Sequence, residues 1–501
     1  EVVASIQIFD KKSDKAALSG FDDGNQQKTI NIITKPNRRI GRFGKSTAGI
    51  GTNNTYQGGA SVNFFNNDRR ITVTGLSNNI NMVNYSADAN SIGDSQTQNG
   101  LIKTNNIGLN FSDDIGDHVE LHGSYNFSSQ RREESRNKLR DYALASDSGQ
   151  VYKEDSYANN LNNTHQFQVK LEYKPDEYNT FLMRPNLSFI HESDKRNFEG
   201  TTTSGLNPIN TTSNQSNARN ADYDYNNNMF YSRKFEKRGR SLTTRLHTGY
   251  HTNADLSNRT ANNIHYNEQD SLNTLDQQTY RDRTGISWEW QESYTEPLGK
   301  RGLMELEYEI GDRINDSDKL TYDSSPESET YDLLDTALSN TFENNYLRQQ
   351  MEIGYQHKFE NLKVQLETEY QLAHMQNDQV FPKPFNQNRW FTSILPSARV
   401  DYRINESKRL EFNYRTWTQE PSIGDLQDVI DNSNPLQLEV GNPQLNQTYN
   451  HRTRARMWSN NMESGKSLFA LVETAFASNQ ITKATLIADE PMEVSDGVVL
   501  E

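Results

Sequence analysis

Hydrophobic and polar residues alternate along many short stretches of the chain. The segments 167–173 (FQVKLEY), 304–310 (MELEYEI) and 398–404 (ARVDYRI) alternate throughout, as do the shorter 351–355 (MEIGY), 362–366 (LKVQL) and 410–414 (LEFNY). Period two puts the apolar set on one face of a β-strand and the polar set on the other. Short alternating runs also arise by chance, so the spacing between them carries the argument. Candidate strands at 43–51, 56–65 and 70–79 are joined by small turns at 52–55 and 66–68. Others at 104–112 and 118–128 are joined at 113–117, and 163–174 and 179–191 at 175–178.

From the second connection onward, short turns and long polar connections take turns. The long ones run from 80 to about 103 and for about thirty residues after 128, and fall at 192–223, 253–278, 315–345, 375–387 and 416–447. The short ones fall at 236–240, 296–302, 360–361, 405–407 and 459–466. In an up-and-down antiparallel sheet, odd and even connections lie at opposite ends. Outer-membrane barrels keep short turns at the periplasmic end and long loops outside, whereas a sandwich has no reason to sort loop length by parity. Strands of about 9–13 residues suit a tilted membrane crossing, and closure keeps backbone groups paired in lipid. The expected fold is therefore all-β: a large antiparallel transmembrane up-and-down β-barrel, with about seventeen strands present. Segment 331–338 (YDLLDTAL) is expected to be helical within a long loop.

Composition supports this reading. Only 33% of the 501 residues are hydrophobic, and no run approaches the ~20 apolar residues of a membrane helix. The 10% aromatic content argues against disorder. A barrel with a wet lumen needs apolar residues only at alternate positions. The net charge of −15 argues against a nucleic-acid partner, and zero cysteines exclude disulfides, thiolate metal sites and a cysteine nucleophile. The start Glu1-Val2-Val3 has no leader pattern. The chain is expected to be an internal piece, truncated at both ends.

The titratable residues form no evident catalytic or metal constellation. His118/His122 and His247/His251 are four apart, which on a strand separates the members of a pair by ~13 Å. They read as lumen or interface residues rather than ligands. Asp312, Asp316 and Asp318, and the stretch 88–94 between Asp88 and Asp94, offer oxygens but no full calcium set, and read as solvated acidic loops. The stretch 22–25 (DDGN) reads as a tight turn in preference to a contact between the N-terminal segment and the barrel. Trp288, Trp290, Trp390 and Phe391 fit an aromatic girdle, with sugar stacking as the alternative. No nucleophile elbow, phosphate loop or zinc-protease helix occurs. No catalytic residue, metal or cofactor is expected.

Three stretches carry a resemblance. Residues 28–35 (KTINIITK), with Ile30, Asn31, Ile32, Thr34 and Lys35, resemble the strand that ends the plug domain of TonB-dependent outer-membrane receptors. Residues 56–80 resemble the opening of the barrel in a Bacteroidota-type branch of that superfamily. Residues 415–445, with Pro421, Asn434, Pro435, Gly441, Asn442 and Pro443, resemble that branch's "P-S-I … N-S-N-P-L … G-N-P-x-L" loop. Where receptor plugs usually carry Arg-Gly-Pro and Tyr-Gly, this chain has Asp10-Lys11-Lys12-Ser13 and Leu18-Ser19-Gly20. The resemblance implies a plug end at 1–36 and a barrel at 37–501 belonging to a 22-stranded family. It also implies the outer membrane of a Gram-negative bacterium.

Its functional implication is import, without bond breaking, of a scarce ligand too large for porins: a siderophore, glycan, peptide or vitamin. The implied partners are outer-membrane lipid, the inner-membrane TonB machine and a surface lipoprotein. Two alternatives stay open: a barrel of the same fold with a structural, adhesive or secretion role, and a soluble extracellular glycan-binding β protein.

Overall fold

The computed structural model describes residues 3–35, 40–83, 99–142, 149–266, 271–325, 330–382, 384–405, 407–426, 431–434, 437–461, 465–484, 492–495 and 498–500. The N-terminal part is a two-stranded antiparallel sheet, β1 (Val3–Lys12) with β2 (Gln26–Thr34), enclosing the short helix α1 (Asp14–Ser19). Ser13 caps α1 by accepting the Ala16 amide at 3.0 Å, and Gly20 ends it in the left-handed region at φ 83°.

A wall of long strands follows in chain order: β3 (Ile40–Ile50), β4 (Tyr56–Asn66), β5 (Arg69–Asn78), β6 (Leu101–Ile115), β7 (Val119–Asp141) and β8 (Gln150–Tyr173). Next come β9 (Asn179–Ser204), β10 (Asn207–Lys234), β11 (Ser241–His265), β12 (Ser271–Leu298), β13 (Gly302–Ser324) and β14 (Tyr331–Lys358). β15 (Leu362–Phe381), β16 (Phe385–Asn405) and β17 (Lys408–Gln419) lead to the helical turn α2 (Ile423–Leu426) and the small hairpin β18 (Asp431–Asn434) and β19 (Gln437–Glu439). The wall resumes with β20 (Thr448–Asn461) and β21 (Lys466–Ser478), and a last hairpin pairs β22 (Met492–Ser495) with β23 (Val498–Leu500).

Seventeen strands thus run round a barrel wall, as expected from the spacing. Sixteen antiparallel ladders join each wall strand to the next. Among the described residues no ladder registers β3 against β21, and both are exposed almost throughout. Turns at the short end use residues that tolerate positive φ, such as Asn67 at 56° and Gly116 at 64°.

The outer connections correct the sequence reading. Residues 192–223 belong almost wholly to β9 and β10, whose turn is only 205–206. Likewise 253–278, 315–345 and 375–387 are mostly strand, and 331–338 is the start of β14 rather than a helix. Twenty-eight residues of strand measure roughly 90 Å, or ~65 Å of height at 45° tilt, while a crossing takes only ~9–11 residues. The hairpins therefore stand far above the membrane. There both faces meet water, so apolar alternation stops although pairing continues. Polar cross-strand bonds replace it: Thr212 to Asn263 at 2.6 Å and Gln278 to Asn258 at 2.8 Å. At 331–338 the already extended β13 supplies a partner, Tyr322 opposite Leu334, and pairing overrides helix propensity.

Two aromatic belts mark the lipid band. Below, Tyr173, Phe181 and Tyr231 lie side by side on β8, β9 and β10. Above, Phe167, Phe189, Tyr223 and Tyr250 form a chain of rings with centroids 4.9–6.5 Å apart. Phe181 and Phe189 are eight positions apart on β9, which is about 19 Å of height. Met183, Pro185 and Leu187 share their outward face, while Arg184, Asn186 and Ser188 face the lumen.

Candidate functional site

The inward parity of the wall is identified by what touches α1. Eight consecutive strands, β9 to β16, send a side chain or a close-packed glycine to the segment 14–24. An Arg184 guanidinium nitrogen on β9 donates to Asp14 at 2.8 Å. Ser232 on β10 and Ser241 on β11 donate to the carbonyls of Leu18 and Ser19, at 3.3 and 3.0 Å, and Thr295 on β12 donates to the same Ser19 oxygen at 3.3 Å. These are the last carbonyls of α1, which the helix itself leaves without partners. Lys15 Nζ lies 2.5 Å from Glu307 on β13. Phe21, 2% exposed, packs against Gly354 on β14, where a Cβ would come within 2.9 Å of its ring. Asp22 pairs with Lys363 on β15 and lies 3.6 Å from Arg399 on β16, and Gln365 donates to its carbonyl at 2.5 Å.

Two groups of the segment have shifted acidity. Burial opposes the charge of Asp22, but the Lys363 hydrogen bond and charge, Arg399 and the Gly24 amide outweigh it and hold its pKa down at about 2. Burial likewise opposes the charge of Lys15, and Glu307, Glu305 and Glu352 raise its pKa above the ordinary lysine value. The wall facing Lys15 is acidic. Glu289, Glu305, Glu307, Glu309, Glu352, Glu367 and Glu369 all point inward from β12 to β15. Arg348 bridges Glu309 and Glu289 at 2.6 and 3.0 Å, and Arg245 reaches Glu289 at 2.9 Å.

The residues singled out from the sequence are placed as follows. Ile30, Asn31, Ile32 and Thr34 lie on β2 opposite Ile8, Gln7, Ile6 and Val3, with Lys35 just beyond, and Asn31 bonds Gln7 at 3.1 Å. Ile6, Ile8, Ile30 and Ile32 form an apolar face that is 54–69% exposed. The stretch 22–25 is both of the things weighed for it. Asp22 and Asp23 accept the amides of Gly24 and Asn25 in Asx turns at 3.0 and 2.9 Å, and Asp22 also contacts the wall.

The loop resembling the family signature folds back into the mouth of the lumen. Pro421 is buried, and Ser422 and Asp425 cap α2 reciprocally. Leu426 enters a cluster of Phe342, Tyr346, Ala373 and Met375, all at most 5% exposed, with Phe391 and Leu445 against it. The Asn442 amide donates to the Asp425 carbonyl at 2.6 Å, and Asn442 accepts the Gln444 amide at 2.8 Å, inside the turn that holds Gly441 and Pro443. Both stems are tied to the wall: Glu420 pairs with Arg313, and Gln447 bonds the Tyr346 hydroxyl. Arg389 holds the carbonyls of Gln444 and Leu445 at 2.9 and 3.1 Å. Asn434 lies at the end of β18; Pro435 is outside the described residues. The plug-end strand and this loop do not contact each other in any described pair.

Other candidates resolve differently. Trp288, Trp290 and Trp390 face outward, Trp390 stacked on His374 at 4.3 Å, but Phe391 faces the lumen. Asp312, Asp316 and Asp318 sit inside β13 rather than in a loop, and 88–94 is outside the described residues. His247 and His251 both face inward from β11, and His122 contacts Glu120 at 2.5 Å. Among the described residues no three His, Asp or Glu side chains form a metal-sized group. Sequence reasoning missed Asp14, Lys15 and their wall partners. The signal was present in MELEYEI, where the polar letter of the alternation is always Glu.

The family model for the outer membrane protein beta-barrel family matches residues 233–491, more than half of the chain. The chain belongs to this family. Its place is accordingly the outer membrane of a Gram-negative bacterium. The soluble glycan-binder reading falls with that assignment. Solved structures similar to the chain include the open form of the ferric-catecholate import receptor Fiu from E. coli K12. It shows 10% identity over 95% of this chain and 86% of that one, with a TM-score of 0.35. The ferric yersiniabactin uptake receptor FyuA from Yersinia pestis shows 9% identity over 95% and 77%, with a TM-score of 0.37. The RagAB peptide transporter shows 8% identity over 81% and 61%, with a TM-score of 0.32. No curated protein matches the chain.

Proposed function

We propose that this barrel is a receptor of the TonB-dependent type, importing a scarce large ligand without chemistry. Residues 1–36 are the end of its plug and 37–501 belong to the barrel. The observation that carries this reading is the segment 14–24, held inside the lumen by contacts from eight wall strands. The contacts are mostly ion pairs and hydrogen bonds, with Ala16 and Phe21 the buried apolar residues of the segment. Such a joint is specific in register, yet separable without unfolding the wall. In this reading the inner-membrane machine supplies the pull that separates it. The plug-end strand, Ile30, Asn31, Ile32, Thr34 and Lys35, transmits that pull. The signature loop, with Pro421, Asn434, Pro435, Gly441, Asn442 and Pro443, shapes the outer mouth. The ligand is a siderophore, glycan, peptide or vitamin, and a surface lipoprotein assists its capture.

Residues 1–501 contain no cysteine, so within them an introduced pair is the only thiol target. Asp14→Cys and Arg184→Cys, joined by a short bifunctional thiol reagent, tie the segment to the wall. Cells carrying the full-length protein are offered a labelled ferric siderophore, oligosaccharide, peptide and corrinoid vitamin. One compound is expected to accumulate above the level of cells lacking the gene. Its accumulation should stop on cross-linking and on collapse of the proton gradient. Uptake that continues through the cross-link refutes the proposal, as does accumulation of none of the four.

A further inference from the structure

Immediately above the outer aromatic belt the outward face changes character. His191 is two positions beyond Phe189 on β9, and Ala221 two before Tyr223 on β10, about 5 Å higher at 45° tilt. In the next row Lys103 on β6 stands opposite Arg131 on β7, and Arg131 opposite Leu161 on β8. Leu161 faces Ser193 on β9, which faces Arg219 on β10. Lys195 lies one outward position beyond Ser193. All four cations are exposed, and none takes part in a described ion pair. The acids on this face include Glu133 beside Arg131, Asp155 on β8 opposite Glu199 on β9, and Asp282 on β12 opposite Asp318 on β13.

The same rows border a groove of about 420 Å³. The small Ala221 and Ala254 open it between Leu161, Leu256 and Tyr280, with Arg219 at its edge. It looks away from the lumen, so an imported ligand does not pass it. Two of its lining residues, His191 and Ala221, lie two positions above the lipid-facing belt.

We propose that this strip on β6 to β10 binds the phosphate-bearing headgroup of an outer-leaflet lipid. Height, charge and shape agree on that occupant. The headgroup layer of a bilayer lies just beyond the apolar band. Guanidinium and ammonium groups pair with phosphate oxygens through charge-assisted bonds. The apolar groove takes the first part of a chain whose remainder runs down over Phe189, Tyr223 and Tyr250. On a chain of net charge −15, four exposed cations outside any described ion pair make this strip a fit for an anionic neighbour. The inference rests on the outer-membrane location and not on import, so it stands or falls separately.

The test reconstitutes the full-length protein in phosphatidylethanolamine nanodiscs doped with a bisphosphorylated glycolipid. A second set contains the same glycolipid with its phosphates removed. Retained lipid is counted by native mass spectrometry after detergent transfer. Wild type is expected to retain the phosphorylated lipid and not its dephosphorylated form. The triple variant Lys103→Gln, Arg131→Gln and Arg219→Gln should bind on the order of a hundred-fold more weakly, about five-fold for each cation removed. A change in gel mobility on boiling confirms that the variant is folded. Equal retention by variant and wild type overturns the proposal, as does equal retention of both glycolipids.

Discussion

Asp22 is the residue on which the docking of the N-terminal segment can be tested most sharply. Its side chain is only 9% exposed, pairs with Lys363 and lies 3.6 Å from Arg399. Asp22→Asn keeps the shape and the Asx turn with Gly24 but removes the charge. A pKa of about 2, against 3.8 in the free side chain, corresponds to about 2 kcal/mol of stabilisation at neutral pH. Removing one member of a buried pair costs about 3 to 5 kcal/mol when the remaining charge stays dry, and Lys363 and Arg399 keep partial access to lumen water. Together these give about 2 to 3 kcal/mol for docking of the segment 14–24. Opening of α1 should then rise roughly 30- to 150-fold. Amide hydrogen exchange of residues 16–20 in the detergent-solubilised protein reads this directly, because the wall ladders do not depend on Asp22. The pH dependence follows from the lowered pKa. The Asp22 contribution is complete above about pH 4 and is lost as pH falls toward about 2. Wild-type exchange should accelerate through that window, and Asp22→Asn should be indifferent to it. Unchanged exchange in the variant at pH 7, or identical acid profiles for both proteins, would falsify the docking assignment.

Two further substitutions probe packing. Gly354→Ala places a Cβ 2.9 Å from the Phe21 ring and should weaken the same docking by about 1 to 3 kcal/mol, with Phe21→Leu restoring exchange protection; a double variant no better than Gly354→Ala alone would dismiss the contact. Leu426→Ala empties the anchor of the inward-folded loop, 2% exposed, at a cost of about 2 to 5 kcal/mol. Residues 420–447 should then become sensitive to added protease on intact cells while the wall survives, and continued resistance would argue that the polar stems alone hold the loop.

Much of the wall was legible in the sequence because a membrane imposes a local rule. One face of each strand must be apolar for about nine residues, so runs such as FQVKLEY and MELEYEI announce both strand and lipid face without any partner being known. The parity of the connections added topology, since alternate turns lie at opposite ends of any up-and-down sheet. The signature stretch 415–445 was found as a pattern of prolines, glycine and asparagines, and so was the plug-end strand at 28–35.

Tertiary structure decided where strands end and what the inward faces meet. Above the membrane both faces are wet, the apolar rule lapses, and only the ladder to a neighbour shows that 192–223 or 331–338 is strand. Inside the lumen a polar letter is compatible with water, a ligand or a docked segment. Glu307 reads the same in each case until Lys15 is seen beside it. The inward fold of the signature loop was hidden for the same reason, since Leu426 and Phe342 are 84 positions apart and meet only because the barrel curves. The period and the lipid-facing side can be read from the chain alone, because they depend on nearest neighbours and solvent. The joint between α1 and eight strands depends on the curvature of β9 to β16 around it, which no local pattern encodes.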